Sequence, residues 1–201
     1  EGKILDAHAL NQGLLKIAEA IKDFKPEAVV FTASPTTFRE DARVAETAKT
    51  VNPQIKTILL DSHIVPVMPD KIKQAFPAID YLVGQEPLDN IPKILGFEGV
   101  RDLEAHPLPA YDLLPISKYF SLSFTRKKPF VTLITSVGCP NRCNFCVVGG
   151  ATAERGYGKI WRFKSPQKII EEINYLLSLG VKSIYFFDET FTVNKERVKK
   201  L

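Results

Sequence analysis

Apolar residues in the first half of the chain fall in short runs separated by stretches of helical spacing. Four runs, residues 3–7, 28–33, 55–60 and 79–83, are brief, rich in β-branched side chains, apolar on both faces and bounded by turn residues or helical patterns. That is the pattern of strands buried in a parallel sheet. Between them, Leu10, Leu14, Ile17 and Ile21 recur at helical spacing. Residues 38–51 carry Phe38, Ala42, Ala45 and Ala48 on one side and Arg39, Glu40, Arg43 and Glu46 on the other. A third, shorter helix is predicted over 69–76, with Pro69 at a tolerated first-turn position. Strand and helix in alternation predict an α/β fold, a doubly wound Rossmann-like parallel sheet with right-handed crossovers.

The pattern breaks at residue 99. Prolines at 107, 109, 115 and 129, interleaved with Tyr111, Leu113, Leu114, Tyr119 and Phe120, describe an extended connector whose apolar content lets it pack on a domain surface. Regular structure resumes with a buried-type strand at 130–136. A loop rich in Gly, Cys and Asn follows. Ser165-Pro166 then opens a helix with inner residues Ile169, Ile170, Ile173, Leu176 and Leu177, which stops at Gly180. A strand over 183–187 ends in Asp188-Glu189. The predicted division is therefore a first domain at 1–98, a linker at 99–128 and the beginning of a different domain at 129–201.

Charge adds little to this. The net +4 arises from 27 basic and 23 acidic residues mixed along the chain, so nucleic acid is not implied, and the run Arg126-Lys127-Lys128 reads as a solvated linker edge. No run approaches the roughly 18 apolar residues of a membrane span, and the amino terminus lacks a signal-peptide pattern, so no membrane partner and a cytoplasmic location are expected. The chain opens on Glu1 rather than Met and closes at Leu201 within a helical pattern, so it is expected to be a fragment.

Cysteine changes the picture more. There are three, Cys139, Cys143 and Cys146, all within eight residues, which suits neither a disulfide framework nor scattered structural thiols. Spaced C-x3-C-x2-C after a strand, three thiolates can hold three corners of an iron–sulfur cube and leave the fourth iron open. Zinc is the competing reading, but structural zinc takes four ligands, and His8, His63 and His106 all lie far off in sequence.

The stretch Thr135-Ser-Val-Gly-Cys-Pro-Asn-Arg-Cys-Asn-Phe-Cys146 resembles the cluster loop of radical S-adenosylmethionine (SAM) enzymes, including the aromatic Phe145 before the third cysteine. The resemblance implies a partial (β/α) barrel, a [4Fe–4S] cluster on the three cysteines, and SAM chelated by the open iron. Its cleavage would yield a 5′-deoxyadenosyl radical. Arg162-Phe-Lys-Ser165-Pro166 and the stretch from Tyr185 to Phe191 resemble the second βα turn of such enzymes. There Asp188-Glu189 stands where the family carries a Gly-Gly-Glu-like motif for the SAM amino group, so the resemblance implies a SAM-binding role for Phe145, Asp188 and Glu189. Two barrel strands out of at least six are present, so activity from this piece alone is not expected. An electron donor such as a flavodoxin or ferredoxin is expected as partner. The substrate, a small molecule or a peptide, is not specified.

In a doubly wound sheet the ligand crevice lies at the carboxyl ends of the strands, here Ser34-Pro-Thr36-Thr37, Asp61-Ser62-His63 and Gly84-Gln85-Glu86. Through Pro26-Glu-Ala-Val-Val-Phe31, Val51-Asn-Pro-Gln-Ile55 and Pro77-Ala-Ile-Asp80-Tyr-Leu-Val-Gly84-Gln-Glu86, residues 1–96 resemble the cobalamin-binding domain that precedes many radical SAM domains, lacking its first strand. This implies cobalamin at Ser34, Thr36, Thr37, Asp61, Ser62, His63, Gly84, Gln85 and Glu86. Two departures stand out. Asp61-Ser62 replaces a common Gly-Gly pair, and side chains there would crowd a cofactor tail. The Asp-x-His-x-x-Gly cobalt-ligand pattern is only echoed by Asp6-Ala-His8-Ala-Leu-Asn11, so His8 reads as coincidental. Cobalamin-linked methyl transfer or rearrangement at an unactivated carbon is the leading expectation. A first domain emptied of cobalamin and kept for docking or dimerisation is the alternative. A methylthiotransferase is disfavoured for lack of auxiliary-cluster cysteines.

Overall fold

The computed structural model describes residues 2–84, 86–120, 127–141, 143–146 and 161–201. Contacts divide the chain into two compact units. One comprises residues 12–101 with 141–158, the other residues 1–11, 102–140 and 159–201.

The first is an α/β unit. Helix α1 (Leu14–Phe24) leads to β1 (Ala28–Thr32), α2 (Phe38–Val51), β2 (Lys56–Leu60), α3 (Pro69–Ala75), β3 (Tyr81–Val83) and α4 (Pro87–Ile94). The strands are parallel in the order β1-β2-β3, and their ends are level, Thr32 beside Leu60 and Leu60 beside Val83. Alanines at 42, 45 and 48, each no more than 1% exposed, let α2 lie close on the sheet. There they meet Phe31, Leu59, Val65, Ile72 and Ile79 on one side and Ile21 and Ile55 on the other. Asp80 ties β2 to β3. Its Oδ2 accepts from the Thr57 amide at 2.8 Å and pairs with the Lys49 ammonium at 2.7 Å.

Helix α4 had no counterpart in the hydrophobic pattern, because Pro87 and Pro92 hide it. Pro87 sits at the helix start, where no amide is needed. Pro92 removes the donor due to Leu88, whose carbonyl accepts instead from the Val100 amide at 3.3 Å. Gly99 is where that returning strand of chain presses on the helix. A Cβ there would lie 2.2 Å from the Asp89 carbonyl oxygen, so a side chain does not fit.

The second unit is built on β4 (Phe130–Leu133) and β7 (Ser183–Phe186), parallel neighbours joined through α5 (Pro166–Ser178), with a small antiparallel pair, β5 (Ser136–Val137) and β6 (Arg162–Phe163). A short helix α6 (Lys195–Lys199) closes the chain. Ser165 caps α5 as predicted, its hydroxyl accepting from the Lys168 amide at 3.1 Å, and Gly180 beyond the end adopts φ 84°. The inner stripe of α5 differs from expectation. Ile169 and Leu176 are fully buried, but the residue between them is Glu172, 1% exposed, whereas Ile170 and Leu177 face outward at 42% and 54%.

The connector explains the buried carboxylate. Residues 102–120, with 3-10 turns at Tyr111–Leu113 and Ile116–Lys118, run along α5 and attach at each of its turns. Glu104 accepts from the Ser165 hydroxyl (2.9 Å), the His106 carbonyl from Lys168 (2.6 Å), Glu172 from the Tyr111 hydroxyl (2.7 Å), and Asp112 from the Tyr175 hydroxyl (2.8 Å). Lys164 completes the Glu172 site at 2.6 Å. Burial, with the Glu172 carboxylate beside it, pushes the Tyr111 hydroxyl far above its ordinary value.

Residues 3–7 are not a strand. They lead into a turn over Asp6–Asn11 within the second unit. Asp6 fixes this turn, one oxygen accepting from the Ala9 amide (2.9 Å) and the other from the Tyr119 hydroxyl (2.5 Å). A short run of five residues carries no pairing instruction, and a side chain that captures its own backbone decides against the ladder. No helix among the described residues is long and apolar enough to cross a membrane.

Candidate functional site

The cysteine loop leaves the sheet at Thr135, passes through β5 and turns at Gly138, whose φ of 85° is left-handed and favours glycine. Cys139 follows, half-buried, its Sγ 3.4 Å from the Thr190 hydroxyl beyond β7. Cys146 donates its amide to the Cys143 carbonyl at 2.9 Å, a tight turn in which Cys143 is exposed and Cys146 half-buried. Phe145 is 93% exposed. Cys139 falls within the second unit and the other two cysteines within the first, and among the described residues no three His, Cys, Asp or Glu side chains are gathered as metal ligands. The structure therefore accounts for the stem of the loop, and the spacing alone for the ligand set.

Asp188 and Glu189 part company at the end of β7. Glu189 is exposed. Asp188 turns inward, where its Oδ1 accepts from the Thr135 amide (3.1 Å), the Thr135 hydroxyl (2.8 Å) and the Ser136 hydroxyl (2.5 Å). Its Oδ2 is buried without a hydrogen-bond partner. Beneath lies Arg197 of α6, 3% exposed. Its Nη2 donates to the Thr135 carbonyl at 3.1 Å and to the Thr135 hydroxyl, and its Nε to the Lys164 carbonyl at 3.2 Å. Burial pulls the guanidinium below its ordinary pKa, with the Asp188 charge acting the other way. The rings of Phe163 and Phe191 lie 5.5 and 5.6 Å from its Cζ. Sequence reasoning missed Thr135, Ser136, Arg197 and Thr190. An arginine two residues from the end of a basic helix looks solvated in the sequence, and only the fold shows it buried.

At the carboxyl edge of β1-β2-β3 the three predicted loops emerge side by side from level strand ends. The Ser34 hydroxyl lies 2.9 Å from those of both Thr36 and Thr37, and Thr37 donates to Asp41 at 2.7 Å. Asp61 does not stand in the crevice as expected. Its Oδ1 accepts from the amides of His63 (3.1 Å), Ile64 (2.5 Å) and Val65 (3.0 Å), so it shapes its own loop and is 4% exposed. The exposed His63 ring stays 3.7 Å from Asp61 Oδ2, beyond hydrogen-bond reach, and 3.4 Å from the Ser62 hydroxyl. Glu86 holds a left-handed φ of 46° at the start of α4, and Gln85 lies outside the described residues. Beside this edge a cavity of about 590 Å³ opens, lined by Val65, Pro66, Leu82, Gly84, Asn90 and Lys93. Gly84 forms its wall, since a Cβ there would lie 2.9 Å from Pro66 Cγ.

The profile of the Radical SAM superfamily matches residues 133–201, from the last residue of β4 through the cysteine loop to the chain's end. The resemblance of the cysteine loop is thereby supported from the end of β4 through α5 and β7. Beyond it, the chain is 31% identical over 223 aligned positions to an uncharacterized methyltransferase, PH0819, of Pyrococcus horikoshii, an alignment that takes in 97% of this chain and 46% of that protein. It is 29% identical over 122 positions, 58% of its length, to 24% of a tRNA-2-methylthio-N(6)-dimethylallyladenosine synthase of Clostridium botulinum. The chain thus spans less than half the length of these relatives. Among solved structures, the radical SAM methyltransferase TsrM of Kitasatospora setae superposes with a TM-score of 0.65 at 15% identity, over 92% of this chain and 41% of TsrM. One TsrM structure carries tryptophan and a SAM analogue, and another, at a TM-score of 0.63, cobalamin and a [4Fe–4S] cluster. The α/β architecture with parallel strands is common to both proteins, and the described residues form no closed barrel.

Proposed function

We propose that this chain is part of a radical SAM methyltransferase that works with cobalamin, the three-stranded unit holding the cobalamin and the second unit carrying the stem of the cysteine loop with Cys139. The observation that carries the reading is the C-x3-C-x2-C loop, set at the end of a parallel strand inside the radical SAM segment. When bound, the cluster with SAM supplies a 5′-deoxyadenosyl radical and cobalamin supplies a methyl group, or a path to rearrangement, for an unactivated carbon.

The residues fit these groups. Three thiols on one loop, none fully buried, suit a cluster with an open corner. Exposed Glu189 is free to pair with the SAM ammonium, and Phe145 is free to pack on the bound nucleoside. In the three-stranded unit, the hydroxyls of Ser34, Thr36 and Thr37 suit a phosphate-bearing tail. Lys93, whose ammonium pairs with Asp89 at 2.6 Å, brings a positive charge to a cavity whose glycine wall lets backbone approach closely. Asp61, turned into its loop, does not obstruct it. An electron donor of flavodoxin or ferredoxin type and a small-molecule or peptide substrate complete the reading.

The test is anaerobic reconstitution of the full-length protein with iron, sulfide and hydroxocobalamin, scored by metal analysis and visible absorption. About four irons and one cobalt per chain are expected, with the iron lost together in Cys143→Ala. Iron without cobalt favours a three-stranded unit kept for docking or dimerisation. More than four irons favours a methylthiotransferase, though all the cysteines of this chain belong to the one loop. Bound zinc without iron overturns the reading.

A further inference from the structure

The radical SAM reading assigns the carboxylates after β7 to SAM, yet the structure separates them. We propose that Asp188 is a positioning residue: it locks the stem of the cysteine loop to β7, and leaves SAM to its neighbour. The inference rests on the radical SAM assignment for what the loop holds, but its geometry stands without it.

Three donors converge on one Asp188 oxygen, and all come from Thr135 and Ser136, the two residues that lead from β4 into the loop. Thr135 is fully buried and Ser136 is 3% exposed, so neither hydroxyl has water as an alternative partner. The second Asp188 oxygen is buried too and is not presented to a ligand. Its negative charge is balanced from beneath by Arg197, which reaches it through Thr135 instead of by a direct hydrogen bond, holding both the carbonyl and the hydroxyl of that residue. The chain order is therefore guanidinium, threonine, carboxylate, serine, and Cys139 comes three residues after that serine. A carboxylate that accepts three hydrogen bonds and has its other oxygen walled off is poorly disposed to bind an ammonium that arrives from solvent. Glu189, exposed beside it, is not so constrained. Thr190 continues the junction, its hydroxyl 3.4 Å from Cys139 Sγ.

What the Asp188 clamp needs is an acceptor oxygen, and what SAM binding needs is a charge, so two substitutions separate them. Asp188→Ala removes acceptor and charge, whereas Asp188→Asn keeps an acceptor at the same place. In the metal-free full-length protein, exchange of the Thr135 amide is expected to accelerate tenfold or more in Asp188→Ala, by about the worth of a hydrogen bond to a charged group, and to stay within about threefold of wild type in Asp188→Asn. In the reconstituted protein, Asp188→Ala and Ser136→Ala are expected to release iron to a chelator about 10- to 100-fold faster, the usual effect of losing a residue that orients metal ligands. Asp188→Asn should keep both its iron and the change in the electron paramagnetic resonance of the reduced cluster when SAM is added.

The proposal is overturned if Asp188→Asn holds iron normally but loses that SAM response, since the charge would then be the working feature. It is equally overturned if Asp188→Ala leaves amide exchange and iron release unchanged. Should Asp188→Ala fail to fold, Ser136→Ala carries the same two measurements. A wild-type protein without iron would sink the functional reading, while the exchange experiment would still judge the clamp.

Discussion

The two units of this chain are held together in different ways. In the three-stranded unit, α2 lays a row of alanines against Phe31, Leu59 and Ile72, and its polar side chains are mostly satisfied within their own loops or at the sheet's edge. In the second unit the apolar cluster around Ile116, Val131, Leu176 and Val181 is smaller, and the interior also encloses Glu172, Arg197, Thr135 and Ser136, each held by partners 8 to 62 residues away, with Arg197 Nη1 buried and unbonded. Apolar packing tolerates many sequences and needs only volume and pattern. A buried hydrogen-bonded network demands particular partners, and loses heavily when one is missing. The difference places the demanding construction under the cysteine loop, where ligand geometry must be fixed, and the tolerant one under the loops that would receive a large, many-contact cofactor.

The sharpest break of that comparison is functional. Cys143→Ala is expected to abolish iron binding while cobalt bound by the three-stranded unit stays near its wild-type amount, measured by metal analysis after joint reconstitution. Loss of both would mean that the two units do not act separately. Next in size is stability. Glu172→Ala strands the Lys164 ammonium and the Tyr111 hydroxyl, and a cost of about 3–5 kcal/mol is expected. Leu59→Ala, in the other core, is expected to cost about 2–5 kcal/mol. Denaturant unfolding gives the totals, and segment-resolved hydrogen exchange should show each loss confined to its own unit.

A smaller effect comes from Asp80. Burial opposes its ionisation, but hydrogen bonds from Lys49 and Thr57 outweigh this and hold its pKa below the usual carboxylate range. A depressed folded pKa gives a contribution that is full above the unfolded value of 3.8 and is lost as pH falls through the folded one. Asp80→Asn should therefore flatten the acid limb of the stability curve below about pH 4, and cost about 1 kcal/mol at neutrality, with partial exposure limiting the effect. Smallest is Thr190→Val. Removing a hydroxyl beside Cys139 Sγ is expected to lower the midpoint potential of the cluster, read by redox titration, with a change in stability of about 1 kcal/mol or less.

How much of this the sequence disclosed follows the same division. The pattern at 38–51 coincides with α2, and the strands at 28–33, 55–60 and 79–83 are present with ends trimmed by a residue or two. Ser165 and Gly180 mark the limits of α5, because a cap and a left-handed stop are local devices. The cysteine loop was legible for the same reason, its chemistry being written in consecutive residues. The short run at 3–7 misled, since a strand exists only by pairing, and Asp6 diverts the chain into a turn closed by Tyr119. Helix α4 was hidden by prolines whose missing donor is replaced by Val100, twelve residues beyond Leu88.

By itself, then, the sequence determined periodicity, caps, the α/β alternation and the three-cysteine spacing, all of which depend on neighbours a few positions apart. Only the tertiary structure decided that Asp61 serves its own loop, that Glu172 and Arg197 are interior, and that Asp188 faces Thr135 and Ser136 while Glu189 faces out. A charged side chain reads alike whether it ends in water or in a protein interior. Which of the two holds depends on partners brought near from distant parts of the chain, and burial raises the energetic weight of each contact they make.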